Sequence, residues 1–280
     1  MDATRFEGIP PPSEVPDRSA APPKRFRPPS RLLWLAEYRS VYELGFSLLA
    51  IPLLLGAPAG DGHPVLVLPG FLASDLSTEP LRRYLARLGY DAHTWDLGRN
   101  LGGIMRMRHA LRRRLTSIHA ASGRKVSVVG WSLGGIYARM LALDEPDAVR
   151  SVITLGSPFS RDPDASNVSA VYEAVSGERR SDEERRARTV FAHAFDRIGG
   201  DLAVPSTSIY SKLDGVVDWR ASVLRENERT ENIEVFGASH VGLGVNAAVL
   251  WATADRLAQA EGTFAPFGRG GPFALAYARP

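Results

Sequence analysis

Short apolar runs that alternate with helical patterns constrain the fold of this chain more than any other feature. Six stretches contain a run with the composition of a β-strand, and they are 65–68, 91–97, 126–129, 148–159, 205–215 and 232–240. Near-continuous apolar strands separated by helices are typical of a parallel sheet that is covered on both faces. Because crossover connections are right-handed, we expect an α/β fold with a doubly wound, mostly parallel sheet.

Amphipathic helices are predicted between these strands. In the first, Leu81, Leu85 and Leu88 share one face. The second and third helices cover 103–123 and 136–143, and a final helix follows the sixth strand. Their apolar faces would cover the sheet.

The 280 residues fit one α/β domain with insertions. Residues 1–30 are rich in proline and poor in large apolar groups, which predicts a disordered leader that lacks the apolar region of a secretory signal. The main domain is predicted at 61–280. Within it, residues at about 160–204 show no strand pattern, and charges such as Asp182 and Arg186 pair at helical spacing. Because this insertion leaves from the end of a strand, we expect a helical cap over a ligand site, with a decorative surface insertion as the alternative.

Residues 31–60 form a separate N-terminal apolar helical segment. Leu32, Leu35, Arg39 and Tyr42 share one helical face, which favours a helix docked on the domain. The uninterrupted apolar run at its end is too short to span a membrane and contains a proline. Basic residues just upstream favour the alternative, peripheral contact with a membrane or lipid interface through residues 31–55.

Composition excludes several classes of site. The chain has 34 Lys and Arg against 31 Asp and Glu, a net charge of +3, and its bases are interspersed with acids, which argues against nucleic acid as a partner. Cysteine is absent, so disulfides, thiolate zinc sites and a cysteine nucleophile are excluded.

The stretch GWSLGG at 130–135 carries the strongest functional signal, because it joins an apolar strand directly to a helical pattern. Such a turn needs a strained backbone at its central residue and neighbours without side chains two positions away, here Gly130 and Gly134. The turn would hold the Ser132 hydroxyl above the sheet edge. It would also direct the N–H of Leu133 and the start of the helix at a developing oxyanion. Ser132 is therefore the predicted nucleophile.

A serine hydroxyl needs a base to take its proton. Among six histidines, His240 lies just past the sixth strand in a loop of small residues, at the carboxyl edge of the sheet where it could reach Ser132. The other five lie before the first strand or within strand and helix patterns. We expect structural roles for them: His63, His93, His109, His119 and His193.

The base needs a carboxylate that fixes its tautomer and stabilises the imidazolium. Asp214 follows the fifth strand and precedes Gly215, which would permit a tight turn. Asp218 is the competitor in the same loop. The prediction favours Asp214, which gives the chain order Ser132, Asp214, His240.

A second oxyanion donor is expected in the loop LPGFLAS after the first strand. Gly70 allows a sharp turn that would direct the N–H of Phe71 into the site. With Leu133 it would form a two-donor oxyanion hole, each donor contributing about 3–4 kcal/mol. In the loop LGRNLGG on the same edge, Arg99 or Asn100 could contact substrate or support the turn that carries Ser132. Asn100 could equally cap the next helix.

These motifs resemble those of the α/β-hydrolase superfamily, and specifically its bacterial lipase and esterase-like branch. The resemblance runs from about residue 64 to residue 260 and rests on LPGFL, GWSLGG, SKLDGVV and SHVGLG, with the chain order Ser, Asp, His. It implies hydrolysis of carboxylic esters through an acyl-serine intermediate, with no metal and no organic cofactor. Many relatives have His-Gly where this chain has Pro69-Gly70, so a contribution from that histidine is missing while the backbone donor is retained.

The sequence thus predicts a serine esterase or lipase-like enzyme for a small-molecule or lipid ester, located in the cytoplasm or peripherally on a membrane. An acyltransferase with the same triad is the alternative, and a non-catalytic binding protein of the same fold is a weaker one. Apolar groups near the proposed mouth predict an acyl pocket, although each fits a plain core role equally well. They are Leu72, Trp131, Phe159 and Trp219.

Overall fold

The structure, a computed structural model, describes residues 27–159 and 197–279. Its strands are β1 (Pro64–Leu68), β2 (Asp91–His93), β3 (Val126–Trp131), β4 (Val149–Leu155), β5 (Ser206–Tyr210) and β6 (Thr230–Glu234). The helices discussed below are α1 (Arg31–Leu35), α2 (Ser40–Leu49), α3 (Ile51–Leu54), α4 (Asp75–Arg87), α5 (Ile104–Ser122), α6 (Leu133–Asp144) and α7 (Ala247–Leu257).

The six strands form one parallel sheet in the order β2-β1-β3-β4-β5-β6. The chain moves outward from β1 to β2 and then returns to place β3 on the other side of β1. The loops after β1 and β3 therefore leave neighbouring strands at the carboxyl edge, the place where open α/β sheets bind ligands. The prediction of a doubly wound parallel sheet is confirmed.

Two apolar layers cover the sheet, one on each face. Leu81 and Leu85 of α4 pack in the first layer together with α7. Leu111 and Leu115 of α5 pack in the second together with Leu141 of α6. Every residue of β1 is buried, which explains why this strand lacks the alternation of polar and apolar residues that a sheet with one solvent-exposed face has. β5 is buried to the same extent although it contains Ser206, Thr207 and Ser208.

Some element limits differ from the sequence predictions. α4 begins at Asp75, whose carboxylate accepts hydrogen bonds from the N–H groups of Trp95 and Asp96. The same residues end β2 early, at His93, because the Trp95 side chain is fully buried and Asp96 has a positive φ of 61°. α6 begins at Leu133, directly after the serine turn, and not one turn later as predicted.

The N-terminal segment leaves exposed the apolar side chains that its pattern predicts to be docked. Leu32, Leu35 and Tyr42 are exposed at 79%, 61% and 72%, whereas Glu37 and Ser47 are buried. This corrects the expectation that the apolar face is the docked one. The reason is that the Glu37 carboxylate finds hydrogen-bond partners in distant loops, which a hydrophobicity pattern does not reveal.

The predicted cap at about 160–204 lies mostly outside the described residues, as do its charge pairs and the leader before residue 27. In its described part, Ile198, Leu202 and Val204 are buried in the layer beneath α6. Among the described residues, no helix combines the length and the apolar character that crossing a membrane requires.

Candidate active site

Ser132 lies at the turn between β3 and α6 with φ 53° and ψ −120°, a strained conformation for a residue with a side chain. Tight packing holds this turn. A Cβ atom at Gly130 would lie 2.3 Å from the Gly134 carbonyl oxygen, and one at Gly134 would lie 2.3 Å from the Leu68 carbonyl oxygen. The two glycines are therefore required by close backbone approach, and the Ser132 N–H is fixed by a 2.8 Å bond to the Leu155 carbonyl.

The structure brings the three predicted triad residues together. His240 Nε2 lies 3.0 Å from Ser132 Oγ, and His240 Nδ1 lies 2.6 Å from Asp214 Oδ2. The side chains of His240 and Asp214 are nearly inaccessible to solvent. The two ring nitrogens thus connect a hydroxyl and a carboxylate that come from the ends of β3 and β5, in a geometry that can pass a proton.

The second oxygen of Asp214 organises its own loop. Oδ1 accepts hydrogen bonds from the N–H groups of Val216 and Val217 at 2.8 and 2.7 Å, which leaves Oδ2 directed at the imidazole. The competing Asp218 instead accepts from the Arg220 N–H at 3.0 Å and pairs with the Arg220 guanidinium at 3.4 Å. Asp214 is therefore the carboxylate that lies against the base.

The electrostatics of His240 favour its protonated form. Burial by itself would lower the pKa of this imidazole, since it disfavours the charged state. The charge and hydrogen bond of Asp214, together with the charge of Glu37, outweigh burial and raise the pKa above the ordinary value of 6.5. The imidazolium that forms when a base takes a proton from Ser132 is thereby stabilised.

The loop after β1 lies directly against the serine turn. A Cβ atom at Gly70 would lie 3.3 Å from the Ser132 Cβ. Two hydrogen bonds to Asn100 fix the loop. The Asn100 side-chain NH₂ group donates to the Pro69 carbonyl at 2.9 Å, and the Asn100 backbone carbonyl accepts from the Leu72 N–H at 2.7 Å. Phe71 lies within this braced loop, beside the nucleophile.

Asn100 therefore supports the loop after β1. It is fully buried, and its side-chain oxygen accepts from the Gly102 N–H and the Tyr137 hydroxyl at 3.1 and 3.2 Å. The residue that precedes α5 is Gly103, so Asn100 is not the cap of that helix. Arg99 is exposed.

A family model described as alpha/beta hydrolase fold matches residues 63–214, more than half of the chain. The chain belongs to the α/β-hydrolase fold family.

Solved structures resemble this chain in fold. Aspergillus fumigatus lipase B matches with a TM-score of 0.52 at 19% identity, over 72% of this chain and 54% of that one. A Paleococcus ferrophilus monoacylglycerol lipase gives 0.49 at 14% identity, over 69% of this chain and 94% of the other. A lipase-esterase related protein from Clostridium acetobutylicum gives 0.49 at 16%, with the same two coverages.

These likenesses concern the fold alone, since every identity is low. The chain spans about half of the Aspergillus lipase, 54% of its length. A comparison with curated proteins finds no match.

Two of the four predicted pocket residues belong to segments that adjoin the triad. The Trp131 indole N–H donates to the His240 carbonyl at 3.0 Å, and its ring packs on Gly244. Leu72 follows Phe71 with a positive φ of 61° and an exposed side chain. The pocket role of both residues stays a prediction.

The other two predicted pocket residues have packing partners of their own. Trp219 stacks on Tyr210 with ring centroids 5.7 Å apart, and the cations of Lys212 and Arg220 also lie over its ring. Phe159 is buried in the layer beneath α6 with the Arg139 guanidinium over its ring. These contacts favour the plain core role that the sequence left open for Phe159, while Trp219 is half-buried in an aromatic stack of its own.

A second Ser-His-Asp cluster lies at the opposite edge of the sheet. His63 Nδ1 lies 2.5 Å from Asp61 Oδ1, and His63 Nε2 lies 2.9 Å from Ser127 Oγ. His63 and Ser127 are almost completely buried, and burial lowers the pKa of His63 although the Asp61 carboxylate opposes it. Without access for substrate, this cluster can only be structural.

Three charged residues of the N-terminal segment contact the triad loops, and sequence reasoning missed them. Glu37, Arg39 and Glu43 bond to the backbone around Asp214 and His240. A signal was present, because charges inside an apolar segment need partners when they are buried.

Proposed function

We propose that this protein is a serine hydrolase that cleaves carboxylic esters through an acyl-serine intermediate. The observation that carries this proposal is the hydrogen-bonded line from Asp214 through His240 to Ser132, with distances of 2.6 and 3.0 Å. The strained turn at the serine supports it, because strain of this kind is retained where a function depends on it.

The reaction follows from this arrangement. Ser132 Oγ attacks the acyl carbon while His240 Nε2 takes its proton, and Asp214 holds the imidazole and stabilises its charge. The N–H groups of Phe71 and Leu133 would bind the oxyanion. His240 then gives the proton to the departing alkoxide, which leaves the acyl group on the serine. A water molecule, deprotonated by His240, attacks this ester and releases the acid.

Replacement of the nucleophile tests the proposal. Ser132→Ala should fold as the wild type does and lose turnover of p-nitrophenyl acyl esters together with labelling by a fluorophosphonate. The control variant Ser77→Ala removes a hydroxyl of α4 that donates to the Ser74 carbonyl. It should retain both turnover and labelling. Unchanged turnover in purified Ser132→Ala would reject the assignment, and a wild type that neither labels nor turns over would indicate a non-catalytic protein.

Product analysis decides the acceptor. With an ester and water alone, the proposal predicts free acid as the product. With an added alcohol or amine, the acid should remain the main product. A transfer product that replaces the acid would reassign the enzyme as an acyltransferase with the same triad.

We further propose that the hydrolase meets a lipid ester at an interface, which residues 31–55 contact peripherally. Large apolar side chains of this segment are exposed, and they include Leu32, Trp34, Leu35, Tyr38, Val41, Tyr42, Phe46, Leu48, Leu49 and Leu53. The polar side chains Glu37 and Ser47 are turned inward. An apolar surface of this size exceeds what single scattered residues produce and is typical of membrane or protein contact.

Charge distribution favours a lipid surface over a protein partner. The acids of the segment, Glu37 and Glu43, point into the protein, and the outward charge is that of Arg31. An apolar face flanked by basic residues suits anionic lipid. The rim of the site continues this face, since Leu213 and Val241, beside Asp214 and His240, are also exposed.

Vesicle binding tests the interface. The double variant Leu35→Asp and Leu49→Asp should lose sedimentation with phosphatidylglycerol-containing vesicles and activity on emulsified esters, yet keep activity on soluble ones. Leu275→Asp, at a side chain that is 92% exposed outside the segment, should behave as the wild type. A wild type that ignores vesicles but dimerises, with the dimer lost in the double variant, would show that a second copy covers this face.

A further inference from the structure

One carboxylate of the N-terminal segment joins the backbones of two loops, the acid loop that carries Asp214 and the base loop that carries His240. Glu37 Oε1 accepts hydrogen bonds from the N–H groups of Gly215 and His240 at 2.8 and 3.0 Å. Glu37 Oε2 accepts from the Val241 N–H at 2.8 Å. Gly215 directly follows Asp214, so a single buried side chain connects the residue after the acid with the base itself.

The two loops are shaped to admit this segment. A Cβ atom at Gly215 would lie 2.2 Å from the Leu33 carbonyl oxygen and 2.9 Å from Glu37 Oε1. A Cβ atom at Gly242 would lie 2.3 Å from Glu43 Oε2. Gly215 has no positive φ, so close approach of the segment, and not the tight turn expected from sequence, explains the glycine after Asp214.

Arg39 holds the same loops from their carbonyl side. Its guanidinium donates to the Leu213 carbonyl in the acid loop, and to the Ala238 and Gly237 carbonyls in the base loop at 3.2 and 3.3 Å. A cation is thus bonded to carbonyl oxygens, while Glu37 is bonded to N–H groups. Each charge therefore faces the end of the backbone dipoles that carries the opposite partial charge.

Glu43 adds contacts to the base loop alone. Its Oε1 accepts from the Ser239 N–H at 2.9 Å, and its Oε2 accepts from the Asn246 side-chain amide at 2.8 Å. It therefore offers a comparison with Glu37, which is bonded to both loops.

These contacts matter because the acid and the base come from separate strands. Asp214 follows β5 and His240 follows β6, so their 2.6 Å contact depends on how two independent loops are placed. Hydrogen bonds to an ionised carboxylate are stronger than neutral ones. A small displacement between catalytic groups costs up to about 100-fold in rate.

We propose that Glu37 is a positioning residue of the active site, which fixes the acid loop and the base loop relative to each other. This inference rests on the proposed ester hydrolase function. Glu37 does not touch Ser132 or a substrate. It acts through the backbone of His240 and of the residue after Asp214.

The charge of Glu37 has a second effect that a purely structural side chain would lack. The charged groups that raise the pKa of His240 are Asp214 on the acid loop and Glu37 on the N-terminal segment. The base must be neutral in the free enzyme, so kcat/KM falls as the pH drops through this pKa. Removal of the Glu37 charge should therefore move the acid limb of the kcat/KM profile to lower pH.

The variant Glu37→Gln keeps the size of the side chain, removes its charge and places an amide NH₂ group against backbone donors. With a short soluble ester, we expect kcat to fall between about 10- and 100-fold with KM nearly unchanged, and the acid limb to shift downward. Glu43→Gln should lose less, because it leaves the link between the loops intact. Glu228→Gln, an exposed carboxylate that pairs with its neighbour Arg229, should match the wild type in kcat and in pH profile.

The outcomes separate this inference from the proposed function. If the wild type neither turns over esters nor labels at Ser132, the proposed function fails. If the wild type is active and folded Glu37→Gln keeps wild-type kcat and acid limb, the positioning role alone is overturned. Should Glu37→Gln not fold, Glu37→Asp replaces it: the shorter carboxylate should lower kcat while the acid limb stays in place, and wild-type kcat in this variant would overturn the role.

Discussion

The indole N–H of Trp131 donates a 3.0 Å hydrogen bond to the backbone carbonyl of His240. Trp131 immediately precedes Ser132, so this bond ties the residue before the nucleophile to the base. The two rings lie 6.5 Å apart in a tilted arrangement. An aromatic residue that sequence alone marks as pocket lining thus also holds the base loop against the serine turn.

The variant Trp131→Phe should show what this bond contributes. It keeps an aromatic ring and removes the donor, so we expect a loss of about 0.5–1.5 kcal/mol in the free energy of unfolding and a lower kcat on soluble esters. Urea denaturation and steady-state kinetics measure the two effects. Trp219→Phe, in the separate stack on Tyr210, should leave kcat unchanged, and equal losses in both variants would count against a specific role for Trp131.

Exchange of the two aspartates of the acid loop should separate their roles. Asp214→Asn is expected to lower kcat by roughly 10⁴-fold, because an amide no longer holds the imidazole in the required tautomer. Asp218→Asn should retain most activity, since Asp218 bonds to the Arg220 N–H and not to the base. Steady-state kinetics on one soluble ester, with circular dichroism to check folding, decides between them, and comparable losses would argue against the assignment of Asp214.

The raised pKa of His240 predicts the pH dependence of the reaction. The neutral imidazole is the base, so kcat/KM should fall on the acid side with a midpoint above 6.5, the ordinary histidine value. The same shift contributes to stability. Because the folded state holds this proton more tightly, the contribution is fully present below pH 6.5 and is lost as the pH rises through the folded pKa. A kcat/KM profile with its acid limb below 6.5 would contradict the electrostatic reading of the site.

The sheet and the nucleophile turn were predictable from sequence because both depend on local patterns. Apolar strands and the glycines around Ser132 are adjacent along the chain, and their physics is that of neighbouring residues. The position of His240 after the sixth strand was predictable for the same reason, since parallel strands bring their carboxyl ends to one edge.

The buried face of the N-terminal segment was not predictable in this way. Glu37 bonds to residues 178 and 203 positions away, and no periodicity encodes such a partner. An amphipathic pattern indicates which face is apolar, but it assumes that the apolar face is the buried one. Here the backbone donors and acceptors of two loops reverse that choice. The role expected for Gly215 was wrong for the same reason, because its neighbour is distant in sequence.

The cluster of Asp61, His63 and Ser127 should be silent in catalysis. Ser127→Ala is expected to keep wild-type kcat and fluorophosphonate labelling, because Ser127 and His63 are buried at the edge opposite to Ser132. The variant should lose about 1–3 kcal/mol of stability, since it leaves a buried imidazole nitrogen without its partner. Denaturation and active-site labelling measure both, and loss of labelling in a folded variant would contradict the structural role.

Two glycine substitutions should have opposite effects on stability. In Gly215→Ala the new Cβ would lie 2.2 Å from the Leu33 carbonyl oxygen, so the segment must move, and we expect a loss of about 1–3 kcal/mol with a lower kcat. Gly45→Ala lies in the exposed interior of α2 with no atom within 4 Å of the new Cβ, and it should stabilise the protein by about 0.5–1 kcal/mol. Thermal and urea unfolding measure the free energy of unfolding of both variants. Each variant adds the same methyl group, so the difference between them reports the steric clash at Gly215. If both stabilise, the segment is not held against the acid loop as closely as Glu37 requires.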